Sequence, residues 1–360
     1  AEHPSRRLLV TASTATGKRQ ADRLYAAMAD VCYLPYDLPF AVGRFLDRVQ
    51  PVAGIVLETE LWPTLYRTCG QRRIPLLVAS ARLSERSVGR YLRMPRFVAS
   101  VLGESHVHVA AQSEDDAARF RQLGASAQRT IVSGNIKYDQ AAPAAALEGA
   151  AALRARLAPD RPVWVAGSTH EGEEHIVLAA HALLRERGRS ALLVLAPRHP
   201  PRFEGVSQLL QREGWRYVRR TDRTDVDANT EVLLLDTLGE LVAYYAAADV
   251  AFVGGSLVPI GGHNLLEPLR VGCPVLSGPS MENDAATAKL LLECGGVGTV
   301  TGAQALADAL IGIWDSPARR QASVTAAQRV LQSNQGAVRR ICTALQPLIE
   351  TRDPTNVSGR

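Results

Sequence analysis

The feature that most restricts the fold is an alternation of short apolar runs with longer amphipathic stretches, and it occurs in two sets. In the first set RLLVTAS (7–13), AGIVLET (53–59), PLLVAS (75–80), HVHVAA (106–111) and RTIVSG (129–134) have the length and side chains of buried strands. Helical spacing lies between them, as in DLPFAVGRFLDRV and EDDAARFRQLG. An Ala/Pro-rich stretch, AAPAAALEGAAALRARLAPDRP, interrupts the pattern and reads as a linker with a short helix. The alternation then restarts with PVWVAGS (162–168), ALLVLAP (191–197), WRYVRR (215–220), EVLLLD (231–236), ADVAFVGGS (248–256) and CPVLSGP (273–279). Parallel neighbours need a crossover, usually a helix, so this order predicts mostly parallel sheets.

The expected class is therefore α/β, with two doubly wound, Rossmann-like domains facing a cleft. The boundaries read as a first domain over 1–143, a linker over 144–161, a second domain over 162–330, and a helix and tail over 331–360. A length of 360 residues suits two domains, and 46% hydrophobic residues suffice for packed cores. Ligands of such folds lie outside the carboxyl ends of the strands, and the notable polar motifs of this chain fall there.

Charge and cysteine usage narrow the function classes. The five cysteines are scattered without a CxxC pair, which argues against a disulfide framework or a zinc site and fits a reducing compartment. No apolar run nears the roughly 18 residues that span a bilayer, and no secretory signal is recognised. Residues 1–143 hold 19 Lys/Arg against 13 Asp/Glu, and residues 144–360 hold 22 against 23. The net +6 of the first part suits an anionic partner or membrane surface, and it suits ordinary solvated arginine equally. No nucleic-acid partner is expected.

Four strand ends of the second domain are polar. Ser168 and Thr169 in GSTHEGEE stand before an acidic helix start, where Glu173 or Glu174 can complete a capping box. Arg198 and His199 in LAPRHP follow a strand between prolines, and a guanidinium there matches the oxygens of a phosphate or carboxylate. Leu238, Gly239 and Glu240 in DTLGEL open a helix, whose dipole alone can account for the glutamate. In GGSLVPIGGHNLLEP (254–268), Gly261, Gly262, His263 and Asn264 precede another helix, and backbone N–H groups at such a start face anions. Glu267, one turn in, is placed to accept ribose hydroxyls. The dinucleotide fingerprint GxGxxG is not matched, which disfavours a dehydrogenase. Asp225 and Asp227 resemble a metal pair but lie in a polar loop away from the strand ends, so no metal is expected.

In the first domain, LETELWP (57–63) sets Glu58 and Glu60 at a strand end, where partial burial is costly unless they are paired. Arg82 and Arg86 of SARLSER are the expected partners, and a helix-start carboxylate is the alternative. Asn135 and Lys137 in SGNIKYD (133–139) end the last strand of this domain and are expected to face the cleft.

Taken together, YLPYDLP, ETELWP, ARLSERS, AAQSEDDAARF, GNIKYD, GSTHEGEE, PRHPPRF, DTLGEL, the stretch YYAAADVAFVGGSLVPIGGHNLLEP and PVLSGP resemble the bacterial Kdo transferases, which move 3-deoxy-D-manno-octulosonic acid (Kdo) from CMP-Kdo to the lipid A precursor. The resemblance covers residues 33 to 279 in order. It implies the GT-B glycosyltransferase fold and a donor site for CMP-Kdo in the second domain. Arg198, His199, Leu238, Gly239, Glu240, Asn264, Leu265, Leu266 and Glu267 fall in the matching CMP segments, beside Ser168 and Gly262. A glutamate of ETELWP, Glu58 or Glu60, and Lys137 match positions that stabilise the transition state. No cofactor is implied. The partners implied are CMP-Kdo, the lipid A precursor (lipid IVA) and the anionic cytoplasmic face of the inner membrane.

The resemblance also departs in places. The family's membrane anchor and first strand, whose glycine-paired glutamate is the general base, precede the strand that 7–13 matches, so residues 1–360 alone are expected to transfer Kdo very slowly or not at all. VTASTATGK and GPSMENDAA differ from the family's usual turns, which bears on local loop shape. The competing readings are another GT-B transferase with a UDP-sugar donor, and a CMP-binding protein without catalysis.

Overall fold

The computed structural model describes residues 6–350, apart from the side chain of Arg86, and the chain divides into two compact units. The first comprises residues up to Ile136 together with residues from Gly336 onward, and the second runs from Lys137 to Gln335. Elements of the first are β1 (Leu9–Ala12), α1 (Ala15–Tyr25), β2 (Asp30–Tyr33), α2 (Pro39–Val49), β3 (Gly54–Leu57) and α3 (Pro63–Gln71). They continue with β4 (Leu76–Ala81), α4 (Glu85–Tyr91), α5 (Pro95–Leu102), β5 (Val107–Ala111), α6 (Glu114–Gln122) and β6 (Thr130–Val132). The second unit begins with α7 (Ala144–Leu157), β7 (Val163–Thr169), α8 (Glu173–Glu186), β8 (Leu192–Pro197), α9 (Phe203–Arg212), β9 (Tyr217–Arg219) and β10 (Val232–Leu234). It is completed by α10 (Leu241–Ala247), β11 (Val250–Val253), α11 (Leu266–Arg270), β12 (Val275–Ser277), α12 (Ala285–Glu293), β13 (Val297–Thr299), α13 (Ala303–Trp314) and α14 (Pro317–Ser333). The last helix, α15 (Ala337–Glu350), belongs to the first unit.

In the first unit β3-β4-β5-β6 form a parallel sheet, while β1 and β2 pair in parallel apart from it. Side chains alternate between the faces of a strand, and β4 is buried on both. Leu76, Val78 and Ala81 pack with Val42, Leu46, Tyr66 and Phe120 from the helices of one side. Leu77 and Ala79 pack with Ile341 and Leu348 of α15 on the other. The C-terminal helix, which the expected boundary at 331 set apart as helix and tail, thus packs within the first unit and covers this second face. β3 is an edge, with Ile55 and Leu57 exposed.

The second unit has a seven-stranded parallel sheet in the order β13-β12-β11-β7-β8-β10-β9. Val163 and Val165 of β7 face one helical layer, and Trp164 and Ala166 face the other. The segment expected as a linker is mostly α7, which packs on α10 within this unit. From β7 the strand order runs outward in one direction through β8 and in the other through β11. The crevice of such a fold opens at that reversal, so the adjacent ends of β7 and β11 define where a ligand fits. Close packing there demands glycine: a Cβ on Gly167 would lie 1.9 Å from the hydroxyl oxygen of the buried Tyr245. β2 and β13, absent from the expected strands, are three- or four-residue segments too short to show a period.

Candidate functional site

At the reversal point the chain leaves β11 through Gly254-Gly255. The backbone N–H groups of Gly255, Ser256 and Leu257 converge as an anion-binding nest. They donate to the carboxylate of Glu173 at 2.7, 3.1 and 2.9 Å, and the N–H of His170 joins at 3.2 Å. Glu173 is fully buried. The loop that the first glycine pair opens thus binds an internal carboxylate, through Gly255, Ser256 and Leu257. The expected capping box is replaced accordingly. The residue before α8 is Gly172 at φ 86°, without a side-chain cap. Glu174 accepts from Thr169 Oγ1 at 2.9 Å and holds both terminal nitrogens of Arg202. Ser168, at φ 57°, stands at the exit of β7.

The second glycine pair leads into the segment before α11. Gly261 and Gly262 have φ of 97° and 74°, the region where glycine carries no steric penalty. The N–H of Gly262 donates to the Gly255 carbonyl at 2.8 Å, which joins the two pairs. Next, His263 Nε2 lies 2.7 Å from His170 Nε2, with ring planes 8° apart and centroids 5.0 Å apart. A near-coplanar pair at that centroid spacing meets edge to edge, so one ring donates N–H to the lone pair of the other. His199 meets His170 edge-on at 5.4 Å. Burial, and then the neighbouring His170, Arg198 and His199, push His263 down to about 4. Burial, and then His199, lower His170 as well.

Asn264 lies two residues before α11; its side-chain oxygen accepts from the N–H of Leu266 at 3.1 Å, while its amide donates to Glu267 Oε1 at 3.2 Å. Leu265 and Leu266 are buried in the core. Arg198 is exposed and ties its own N–H to the Thr169 carbonyl at 3.0 Å. Its guanidinium has no ion-pair partner among the described residues, whereas the nearby Arg202 is neutralised by Glu174.

Beyond β10, Leu238 is exposed and Gly239 takes φ 86°. Glu240 stands just before α10, where its carboxylate accepts from Arg220 Nη2 at 2.9 Å and from Thr237 Oγ1. It is thus an ion-paired group and more than a partner for the helix dipole. A cavity of about 680 Å³ opens beside it, lined by Gly239, Glu240, Arg220, Arg223, Tyr244 and Leu153 among others.

Lys137 lies in the second unit, a correction to its expected place at the end of the first domain. Its Nζ is 3.4 Å from Asp284 Oδ2, and its carbonyl accepts from Arg270 Nη2. In the first unit Glu58 and Glu60 are exposed, against the expected partial burial, because they follow an edge strand. Glu58 has φ 59°, and Glu60 accepts from Trp62 Nε1 at 3.0 Å. The two motifs expected to pair are joined through Thr59, whose hydroxyl accepts from the Arg82 N–H at 3.1 Å and donates to the Arg82 carbonyl. The side chain of Arg86, the other expected partner, lies outside the described residues. Sequence reasoning passed over the roles of His170, His263 and Asp284. The first two stand beside glycine-rich words, but a separation of 93 positions offers no spacing to read.

Residues 1–140 match the family described as 3-deoxy-D-manno-octulosonic-acid transferase (Kdo transferase). A 3-deoxy-D-manno-octulosonic acid transferase of Haemophilus influenzae is 38% identical over 350 residues, covering 97% of this chain and 82% of the relative. The C-terminal CMP-Kdo binding domain of WaaA from Acinetobacter baumannii is 34% identical, with a TM-score of 0.50 over 52% of this chain and 98% of that domain. HepE of Anabaena, solved with UDP, shares the fold with a TM-score of 0.59 at 17% identity, covering 95% of this chain and 91% of its own. The fold is GT-B, and the chain belongs to the 3-deoxy-D-manno-octulosonic acid transferase family of glycosyltransferases.

Proposed function

We propose that this protein transfers Kdo from CMP-Kdo to the lipid A precursor, lipid IVA, with inversion at the anomeric carbon. The donor is held by the second unit through Ser168, Arg198, His199, the turn Leu238–Glu240, and Gly262 with Asn264–Glu267. The observation that carries this reading is Arg198: a guanidinium without an ion-pair partner among the described residues, at the end of β8, beside three histidines. Its fork geometry suits a phosphate. As the bond to CMP breaks, negative charge grows on the phosphate and positive charge on the anomeric carbon. Arg198 is assigned to the first, Lys137 to the leaving phosphate or the sugar carboxylate, and Glu58 or Glu60 to stabilising the second. Charges already in place need no reorganisation when the reaction occurs. A carboxylate base takes the proton of the attacking acceptor hydroxyl.

Contact with the anionic cytoplasmic face of the inner membrane falls to the first unit. Tyr36 and Phe40 are 86% and 69% exposed, and Leu92, Met94 and Phe97 are exposed among Arg90, Arg93 and Arg96. No helix of the described residues is long and apolar enough to cross a membrane.

The test is calorimetric titration of the full chain with CMP and with UDP. Arg198→Ala and Glu267→Ala should each weaken CMP binding roughly ten- to a hundredfold, since a hydrogen bond to a charged group contributes about 1.5–3 kcal/mol. Equal affinity for UDP, or full CMP affinity in both variants, overturns the proposal.

A further inference from the structure

The segment after β12, Ser280 to Thr287, grips two parts of the molecule with different proposed tasks. Its start is fixed to the β11 loop: the N–H of Gly278 donates to Ser256 Oγ at 2.8 Å, and that of Ser280 to the Ser256 carbonyl at 3.0 Å. It then clasps the second glycine pair. Ser280 Oγ accepts from the Gly261 N–H at 3.0 Å, and the Asn283 N–H donates to the Gly261 carbonyl at 2.8 Å. The Asn283 amide adds two bonds, to the carbonyls of Ile260 at 2.9 Å and Gly262 at 3.1 Å. A side-chain amide bridging two carbonyls needs two N–H donors on one nitrogen, which an aspartate in its place would lack. These bonds set the path of the chain immediately before Asn264.

The next residue turns the other way. Asp284 Oδ2 is 3.4 Å from Lys137 Nζ across 147 positions of sequence, and both side chains are partly buried. Thr287 Oγ1 accepts from the Tyr138 hydroxyl at 3.2 Å, and Arg270, which ends α11, donates to the Lys137 carbonyl. Lys137 is therefore held at its backbone from the helix that begins in the donor segment, and at its ammonium from the residue beside Asn283. A lysine ammonium rides on a flexible four-carbon stem and has no fixed aim without such a partner. Asn283 and Asp284 are neighbours in the chain, with Cα atoms about 3.8 Å apart, so the two grips share one stretch of backbone.

We infer that Asn283 and Asp284 are positioning residues: Asn283 shapes the donor loop, and Asp284 aims the Lys137 ammonium at the group that loop holds. This rests on the role given to Lys137 above. The sequence had marked this stretch only for local loop shape.

The experiment compares Asp284→Asn, Asp284→Glu, Lys137→Met, the double variant Asp284→Asn/Lys137→Met, and Asn283→Ala in the full chain. Initial rates of Kdo transfer are measured alongside CMP titrations. Asp284→Asn should lower kcat roughly tenfold or more while CMP affinity stays within about twofold, the mark of an interaction made in the transition state. It should add nothing in the Lys137→Met background, and Asp284→Glu should recover part of the rate. Asn283→Ala should weaken CMP binding instead. The chain has three lysines, so ¹³C-dimethylation gives a readout independent of turnover. Asp284→Asn should move the Lys137 resonance and leave those of Lys18 and Lys289 in place. An unmoved resonance, or additive losses in the double variant, overturns the inference. A slow Lys137→Met with a fully active Asp284→Asn overturns it alone, whereas a fully active Lys137→Met removes the role assigned to Lys137 and the inference with it.

Discussion

Replacing Glu173 by glutamine isolates the carboxylate that fills the β11 nest. Each of its oxygens accepts two backbone N–H groups: Gly255 and His170 on Oε2 at 2.7 and 3.2 Å, Ser256 and Leu257 on Oε1 at 3.1 and 2.9 Å. Glutamine keeps one such oxygen and turns an NH₂ toward the other two donors. Two hydrogen bonds to a charged acceptor are lost, at about 1.5–3 kcal/mol each, so the second unit should lose about 3–6 kcal/mol. That is a large part of the 5–15 kcal/mol or so that holds a typical domain together. Urea unfolding followed by tryptophan emission reads this unit well, because Trp164, Trp215 and Trp314 lie in it and Trp62 does not. With a denaturant slope of about 2 kcal/mol per molar, its midpoint should fall by about 1.5–3 M. A shift below about 0.3 M on the same scale, accompanied by tighter CMP binding, would mean that the nest serves the donor phosphate and that Glu173 only occupies it in competition.

Two further outcomes are expected. His181 is buried, its Nε2 donating to the Glu231 carbonyl at 3.1 Å and its Nδ1 accepting from Trp164 Nε1 at 3.3 Å, and burial lowers it to about 4. An unfolded histidine binds its proton near pH 6.5, so the stability from neutral His181 is complete above about 6.5 and is lost as pH falls toward 4. Urea midpoints should therefore drop more steeply over that window in the native protein than in His181→Gln, and equal slopes refute this. At the membrane, co-sedimentation with anionic vesicles should weaken with added salt and with Arg90→Glu, Arg93→Glu and Arg96→Glu together; binding indifferent to both removes the arginine surface from the proposal.

The placement of several candidate residues was legible because a strand announces its own end. Arg198 and His199 follow ALLVLAP, and Leu238 to Glu240 follow EVLLLD, so their placement at the carboxyl edge of one sheet needs only local pattern and the parallel rule. Burial of the glutamates was not legible in the same way. LETELWP reads like any strand end, and whether Glu58 and Glu60 are covered depends on β3 being an edge, which is a matter of strand order.

What the sequence alone determined is therefore the class of fold, the two sets of strands, and the family, through short words whose side chains and spacing are local. What only the tertiary structure decided is which of those words touch. Glu173 and the nest are 82 to 84 positions apart, Lys137 and Asp284 are 147 apart, and α15 returns to cover β4 from the far end of the chain. The physical reason is that periodicity encodes which face of an element is apolar, whereas a buried charge is satisfied by whichever groups the completed packing brings within hydrogen-bond reach. A carboxylate in GSTHEGEE looks the same whether it caps its own helix or crosses to β11, and only the assembled sheet supplies the three N–H groups that decide it.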